Sequence, residues 1–148
     1  MTLDLPAVDD RVAICGQLQP SDMKALADAG FTAVVNNRPD GEAMFGQPRT
    51  ADVRAAAEAA GLKFLDLPFS GPRATPEQVR ALADLLADGD GRIVAYCKSG
   101  MRSALLWGAA SMANGRSSDE VLQGARRAGQ ELAPVAELMA ELAKAARV

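Results

Sequence analysis

Residues 92–107 read Arg-Ile-Val-Ala-Tyr-Cys-Lys-Ser-Gly-Met-Arg-Ser-Ala-Leu-Leu-Trp, and this stretch decides the architecture. The apolar, partly β-branched run at 92–96 predicts a buried strand. Residues 97–102 hold Gly100 between the strand and the apolar run and predict a tight loop. The nearly unbroken apolar run at 103–113 has no polar face and predicts a helix buried in the domain centre. A buried strand feeding a buried helix is the building unit of a parallel sheet covered on its faces. The loop then falls at the carboxyl end of a strand, where open α/β sheets place their sites.

Outward from this unit the chain alternates in the same way. Strands are predicted at 11–18, 31–36 and 63–68. A short helix is predicted from Ser21 as N-cap to a stop at Gly30. A second covers 51–60, with Thr50 as cap, Gly61 as stop, and Val53, Ala56, Ala57 and Ala60 on one face. Thr75-Pro76-Glu77-Gln78 is a capping box with proline at the first helical position. Val79, Leu82, Ala83 and Leu86 form the inward stripe of the helix that follows. Ser117 and Glu120 form a second capping box, opening a helix to about 128, and a last helix covers 134–146. Two polar loops remain, 37–48 and 69–74, and the first is long enough to suspect function. The expectation is one α/β domain over residues 1–148. It is a three-layer sandwich with a mainly parallel sheet of four to five strands flanked by helices.

Composition narrows the chemistry. The 148 residues are 49% hydrophobic and 24% charged with a net charge of −3, ordinary for a globular chain of one core. The charges are mixed, with no basic face of the kind a nucleic-acid binder needs. No apolar run is long enough to span a bilayer. Residues 1–10 carry Asp4, Asp9 and Asp10 and no base, unlike a secretory leader. A reducing cytoplasm is expected, with Cys15 and Cys97 unpaired. The chain has no histidine. That removes Ser-His-Asp and Cys-His mechanisms and His-ligated zinc, and two cysteines are too few for a thiolate zinc site. Neither a metal nor a cofactor is expected.

A nucleophile without imidazole needs another activator, and residues 97–102 offer one. Loop amides converging at a helix N-terminus make an anion site. Arg102 adds a cationic fork matched to an oxyanion. A cysteine at the start of such a loop has its thiolate stabilised. Cys97 and Arg102 are therefore the candidate catalytic pair. Lys98, Ser99, Gly100, Met101 and Ser103 are the candidate anion-binding residues. Ser103 reads either as a helix-entry residue or as a hydroxyl donor to the thiolate, and Lys98 as an exposed residue that steers anions. Cys15 reads as a small buried hydrophobe, and Trp107 as helix packing.

Tyr-Cys-Lys-Ser-Gly-Met-Arg-Ser resembles the active-site loop shared by cysteine phosphatases and rhodanese sulfurtransferases. The wider chain resembles the DUF442 family, the phosphatase-like domain of beta-lactamase-hydrolase-like proteins, also labelled a candidate sulfur transferase. Gly-Gln-Leu-Gln-Pro at 16–20, Asn-Asn-Arg-Pro-Asp-Gly-Glu at 36–42, Gln47-Pro48 and Asp-Leu-Pro at 66–68 carry the resemblance with the Cys97 loop. It spans about residues 10–135. It implies the fold of the dual-specificity phosphatases.

Two features separate the chemistries. Four residues lie between Cys97 and Arg102, one fewer than in cysteine phosphatases and the rhodanese number. A phosphatase also needs a proton donor for its leaving alcohol, and residues 69–72 (Phe-Ser-Gly-Pro) contain no acid. Asp66 is expected to point along or away from the strand. Asp40 and Glu42 could stand in if their loop folds over the site; alternatively Arg38 and Asp40 form a structural ion pair. Sulfur transfer through a Cys97 persulfide needs no acid and is the preferred expectation. It takes a sulfane-sulfur donor and could serve a persulfide-oxidising partner enzyme. The alternatives are a phosphatase acting on a phosphorylated substrate through a phosphocysteine, and a non-catalytic module that binds a small oxyanion or phosphopeptide.

Overall fold

A computed structural model describes residues 5–147. The reading that residues 1–10 are unlike a secretory leader thus falls partly outside the described residues. Four strands, β1 (Val12–Cys15), β2 (Phe31–Asn36), β3 (Lys63–Asp66) and β4 (Arg92–Tyr96), form one sheet in the order β1-β4-β2-β3. All three pairings are parallel. The most apolar strand, β4, is central, as its sequence predicts. The segment before β1 folds back on the sheet edge: Ile14 N–H donates to the Pro6 carbonyl and Val8 N–H to the Val12 carbonyl. That contact covers edge groups that would otherwise be open to pairing.

Helices cover both faces. The helices α3 (Pro76–Ala87), α4 (Met101–Ala113), α5 (Ser118–Arg127) and α6 (Ala136–Arg147) pack on one side, with Trp107 and Leu106 fully buried between them. On the other side lie α1 (Met23–Asp28) and α2 (Thr50–Ala59), over Ala13, Val34, Val94 and Tyr96. Strand neighbours alternate between these two cores, as the period of two requires. The all-apolar α4 crosses the middle of its layer and is buried along most of its length.

Both capping boxes form as expected, at Thr75/Gln78 and Ser117/Glu120. Three local expectations are corrected. Ser21 is not an N-cap: Pro20–Asp22 is a 3-10 turn, closed by Asp22 accepting from Gln19 N–H at 2.7 Å, and α1 starts at Met23. Thr50 does not cap α2 but is its first residue, and the cap comes from outside. Asp40 Oδ1 accepts from Thr50 N–H and Thr50 Oγ, both at 2.8 Å. The first strand stops at Cys15 because Gly16 passes hard against the Cys97 loop; a Cβ there would sit 2.9 Å from the Lys98 carbonyl oxygen.

Candidate active site

The site is built where β4 ends and α4 begins. Cys97 continues the strand, donating its N–H to the Cys15 carbonyl at 3.3 Å. The chain then turns within three residues. Gly100, at φ +96°, makes this turn in a conformation that a side chain would disfavour. The helix starts at Met101, two residues before the predicted point, so Arg102 and Ser103 lie in its first turn with their amides unpaired by the helix.

Those amides face the sulfur. Gly100 N–H donates to Cys97 Sγ at 3.1 Å. Burial pushes the Cys97 thiol up, but the N–H groups of Ser103, Ser99, Gly100 and Arg102 together outweigh it and hold the thiol below its ordinary value. Cys97 itself is only 1% exposed, so the sulfur forms the floor of the loop.

Arg102 is held in a fixed attitude. Its Nη1 and Nη2 each donate to one oxygen of Glu42 at 2.8 Å, and Nη1 also donates to the Phe69 carbonyl at 3.0 Å. This is a bidentate fork, the geometry that fixes both the plane and direction of a guanidinium. These contacts use Nη1 and Nη2 and not Nε, and the guanidinium also meets the Cys97 sulfur. Glu42 in turn accepts from the buried Arg38 Nε at 3.0 Å, and Arg38 Nη1 donates to Gln17 Oε1 at 3.0 Å. Hydrogen bonding from Arg102 first, and from Arg38, keeps the Glu42 carboxyl below its usual range despite some burial. The loop carrying Glu42 therefore does fold over the site, but it delivers a carboxylate already ionised, not a proton donor.

The other candidates separate. Asp40 caps α2, and Asp66 Oδ1 accepts from Asn36 Nδ2 at 2.9 Å. Both line a cleft beside Thr50 and Arg54, on the α2 side. The expected Arg38–Asp40 ion pair is replaced by Arg38–Glu42. Ser103 gives its amide to the sulfur, but its hydroxyl donates to Asn37 Oδ1 at 2.8 Å and does not serve the thiolate. Lys98 and Met101 are exposed on the rim. Among the described residues, no group of three or more Cys, Asp or Glu is placed to hold a metal ion.

Gln17, Asn36 and Asn37 carry scaffolding that no side-chain reading assigned. Asn36 accepts from Arg38 N–H at 2.8 Å and donates to the Arg38 carbonyl at 2.9 Å, which sets the turn that aims Arg38 inward. Asn37 ties that turn to the Leu67 carbonyl and to Ser103. The signal was an amide pair closing an apolar strand. Buried amides at a strand end must find partners, and these are the site's own loops.

With this geometry in place, similarity to other proteins is informative. The family model described as beta-lactamase hydrolase-like protein, phosphatase-like domain, matches residues 4–115. The chain belongs to that family. A beta-lactamase hydrolase-like protein from Agrobacterium fabrum is 36% identical over 109 residues, 74% of this chain and 25% of that protein. The chain thus spans about a quarter of the length of the curated relatives it matches. A solved structure from Neisseria meningitidis, with a provisional phosphatase assignment, is 28% identical. It superposes with a TM-score of 0.78 over 95% of this chain and 99% of its own. The active form of Tk-PTP, at 20% identity, shares the fold with a TM-score of 0.71 over 99% and 98% of the two chains. The cysteine-phosphatase fold expected for this family member is therefore present. These similarities fit the phosphatase alternative at least as well as the sulfurtransferase preference drawn from loop length and the missing acid. No described helix is long and apolar enough to cross a membrane.

Proposed function

We propose that this domain is a cysteine-dependent phosphomonoester hydrolase. The observation that carries the proposal is the Cys97 sulfur under four backbone N–H groups, beside an arginine whose orientation is fixed by Glu42. The fold, and the 28% identity to a protein provisionally assigned as a phosphatase, support the same reading. The Cys97 thiolate attacks phosphorus, and the ester oxygen departs with the bonding pair. The non-bridging oxygens rest on the loop amides and on Arg102. Water then attacks the phosphocysteine and returns the thiolate. Glu42 and Arg38 act as positioning residues for Arg102.

A second reading is favoured by one specific observation. The loop holds one residue fewer than a cysteine-phosphatase loop, and a persulfide sulfur is smaller than a phosphoryl group. In that reading Cys97 takes sulfane sulfur from a donor and passes it to an acceptor thiol, alone or for a partner enzyme. Parallel assays discriminate between them: hydrolysis of p-nitrophenyl phosphate, and intact mass after thiosulfate or polysulfide. Hydrolysis lost in Cys97→Ser is expected. A stable extra sulfur on Cys97 with no phosphate hydrolysis would reverse the order of the two readings.

A further inference from the structure

The four strands run parallel, so their starts mark the end of the sheet opposite Cys97. There a pocket of about 470 Å3 opens between Arg11 and Val12 at the start of β1, Leu86 near the end of α3, Trp107 and Ser111 on α4, and Arg116 beyond it. Its volume lies within the ~300–1,000 Å3 of small-molecule sites. Trp107 and Ser111 are one helical turn apart on α4. Ser111 is nine residues beyond Arg102, about 14 Å along the helix axis. The pocket is therefore separate from the Cys97 loop.

One polar group of its wall is unaccounted for. Trp107 is 1% exposed, and its indole Nε1–H, which can only donate, has no acceptor among the described residues. Leaving a buried donor unpaired costs free energy, so an acceptor is expected to reach it. The carboxylate in the wall is already engaged. Asp9 Oδ1 accepts from the Arg11 and Val12 N–H groups at 2.9 and 2.8 Å, and Oδ2 accepts from Arg116 Nη1 at 2.9 Å. The Arg116 guanidinium also lies over the indole, 5.6 Å from the ring centre. Arg11 donates Nε to the Gly91 carbonyl and Nη1 to the Leu86 carbonyl, and neither bond uses Nη2. The wall thus carries two guanidinium groups against one carboxylate. The other acid near Arg116, Glu120, is exposed outside the wall, 3.7 Å from Arg116 Nε. Val12, Leu86 and the indole supply apolar surface.

We propose that this pocket is a second ligand site, which takes a small carboxylate with an apolar body. The carboxylate accepts from Trp107 Nε1 and meets the surplus positive charge of Arg11 and Arg116. The body lies on Val12, Leu86 and the indole. No bond is made or broken there. The site uses no group of the Cys97 loop, so it stands independently of the hydrolase reading.

Trp107 is the single tryptophan of the chain, so its fluorescence reads this pocket directly. The intact protein is titrated with hexanoate, and in parallel with hexanamide, its uncharged counterpart. A saturable change is expected with hexanoate, at a half-saturating concentration lower than that of hexanamide by on the order of tenfold. Arg116→Gln removes one guanidinium, and Ser111→Leu fills the pocket. Each is expected to raise the hexanoate half-saturation by about tenfold. Circular dichroism establishes that each variant is folded, and the partly exposed Arg116→Gln carries the test if Ser111→Leu does not fold. Three results each overturn the proposal. They are no saturable change with hexanoate, equal half-saturation by hexanamide, and unchanged hexanoate binding in a folded variant. The first means that solvent alone meets the indole N–H; the last means that hexanoate binds elsewhere.

Discussion

Cys15 and Cys97 lie at the ends of neighbouring strands of one sheet and are joined by a backbone hydrogen bond, yet their thiols shift in opposite directions. Burial disfavours the thiolate of each. At Cys15 nothing answers it: burial first, then the negative character of Cys97 and Asp22, pushes the thiol up to about 12. At Cys97 four amides answer it, and the thiol falls. The residue type is the same, and Cys97 is the more buried of the two. What differs is the next six residues, where one strand passes into a glycine and an extended loop while the other turns at once into a helix N-terminus. The direction of the thiol shift thus follows the backbone after the cysteine.

The largest expected effect tests this contrast directly. Cys97→Ser should lower turnover by at least about 10³-fold, while Cys15→Ala should leave it within about threefold. Site-resolved alkylation gives the same contrast as a pH profile. The Cys97 rate should rise through a midpoint below the ordinary thiol value of ~8.5 and level off above it. The Cys15 rate should still be negligible there. Equal rates at pH 7 would end the distinction.

Next in size is Glu42→Gln, which removes the charge but keeps the shape of the partner that aims Arg102. A loss of about tenfold to a hundredfold in kcat/KM is expected, from misplacement of the fork. The acid side of the parent's pH profile carries the same information. Glu42 has a depressed carboxyl, so its pairing is fully present above the ordinary glutamate value of ~4.3. It is lost as pH falls through the lower folded value. Glu42→Gln should lack that part of the acid limb, and an unchanged limb would remove Glu42 from the site.

A smaller effect is expected at Gly16. Gly16→Ala puts a methyl 2.9 Å from the Lys98 carbonyl, so β1 or the Cys97 loop must shift. A stability loss of about 1–3 kcal/mol, read by chemical denaturation, should accompany slower alkylation of Cys97 but not of Cys15. Smallest is Asp40→Ala. It removes the outside cap of α2, at about 1 kcal/mol by denaturation, and should change turnover by less than about twofold. A large activity loss there would return Asp40 to the chemistry.

The strand–loop–helix unit was legible because its signals are local. Apolar run length, Gly100 and the abrupt apolar helix all sit within residues 92–113, and the capping boxes at Thr75 and Ser117 are equally short-range. The roles of Asp40 and Glu42 were not legible. The two look alike in sequence, and which of them meets Arg102 depends on how the loop after β2 crosses the sheet end. That crossing is set by buried amide contacts of Asn36 and Asn37 with residues about 30 to 66 positions away. Ser103 shows the same limit, since its hydroxyl could equally have served the thiolate until Asn37 took it.

The amino-acid sequence by itself determined the α/β alternation, the place of the candidate nucleophile and the absence of imidazole chemistry. Each depends on residue type and short-range periodicity. Only the tertiary structure decided that Glu42 grips Arg102, that Asp40 caps α2 instead, and that an apolar pocket lies where a proton donor was sought. These follow from long-range closure of the 37–48 and 69–74 loops around the end of β4. Such closure satisfies buried hydrogen bonds and one ion-pair network across the sheet, and no local pattern specifies it.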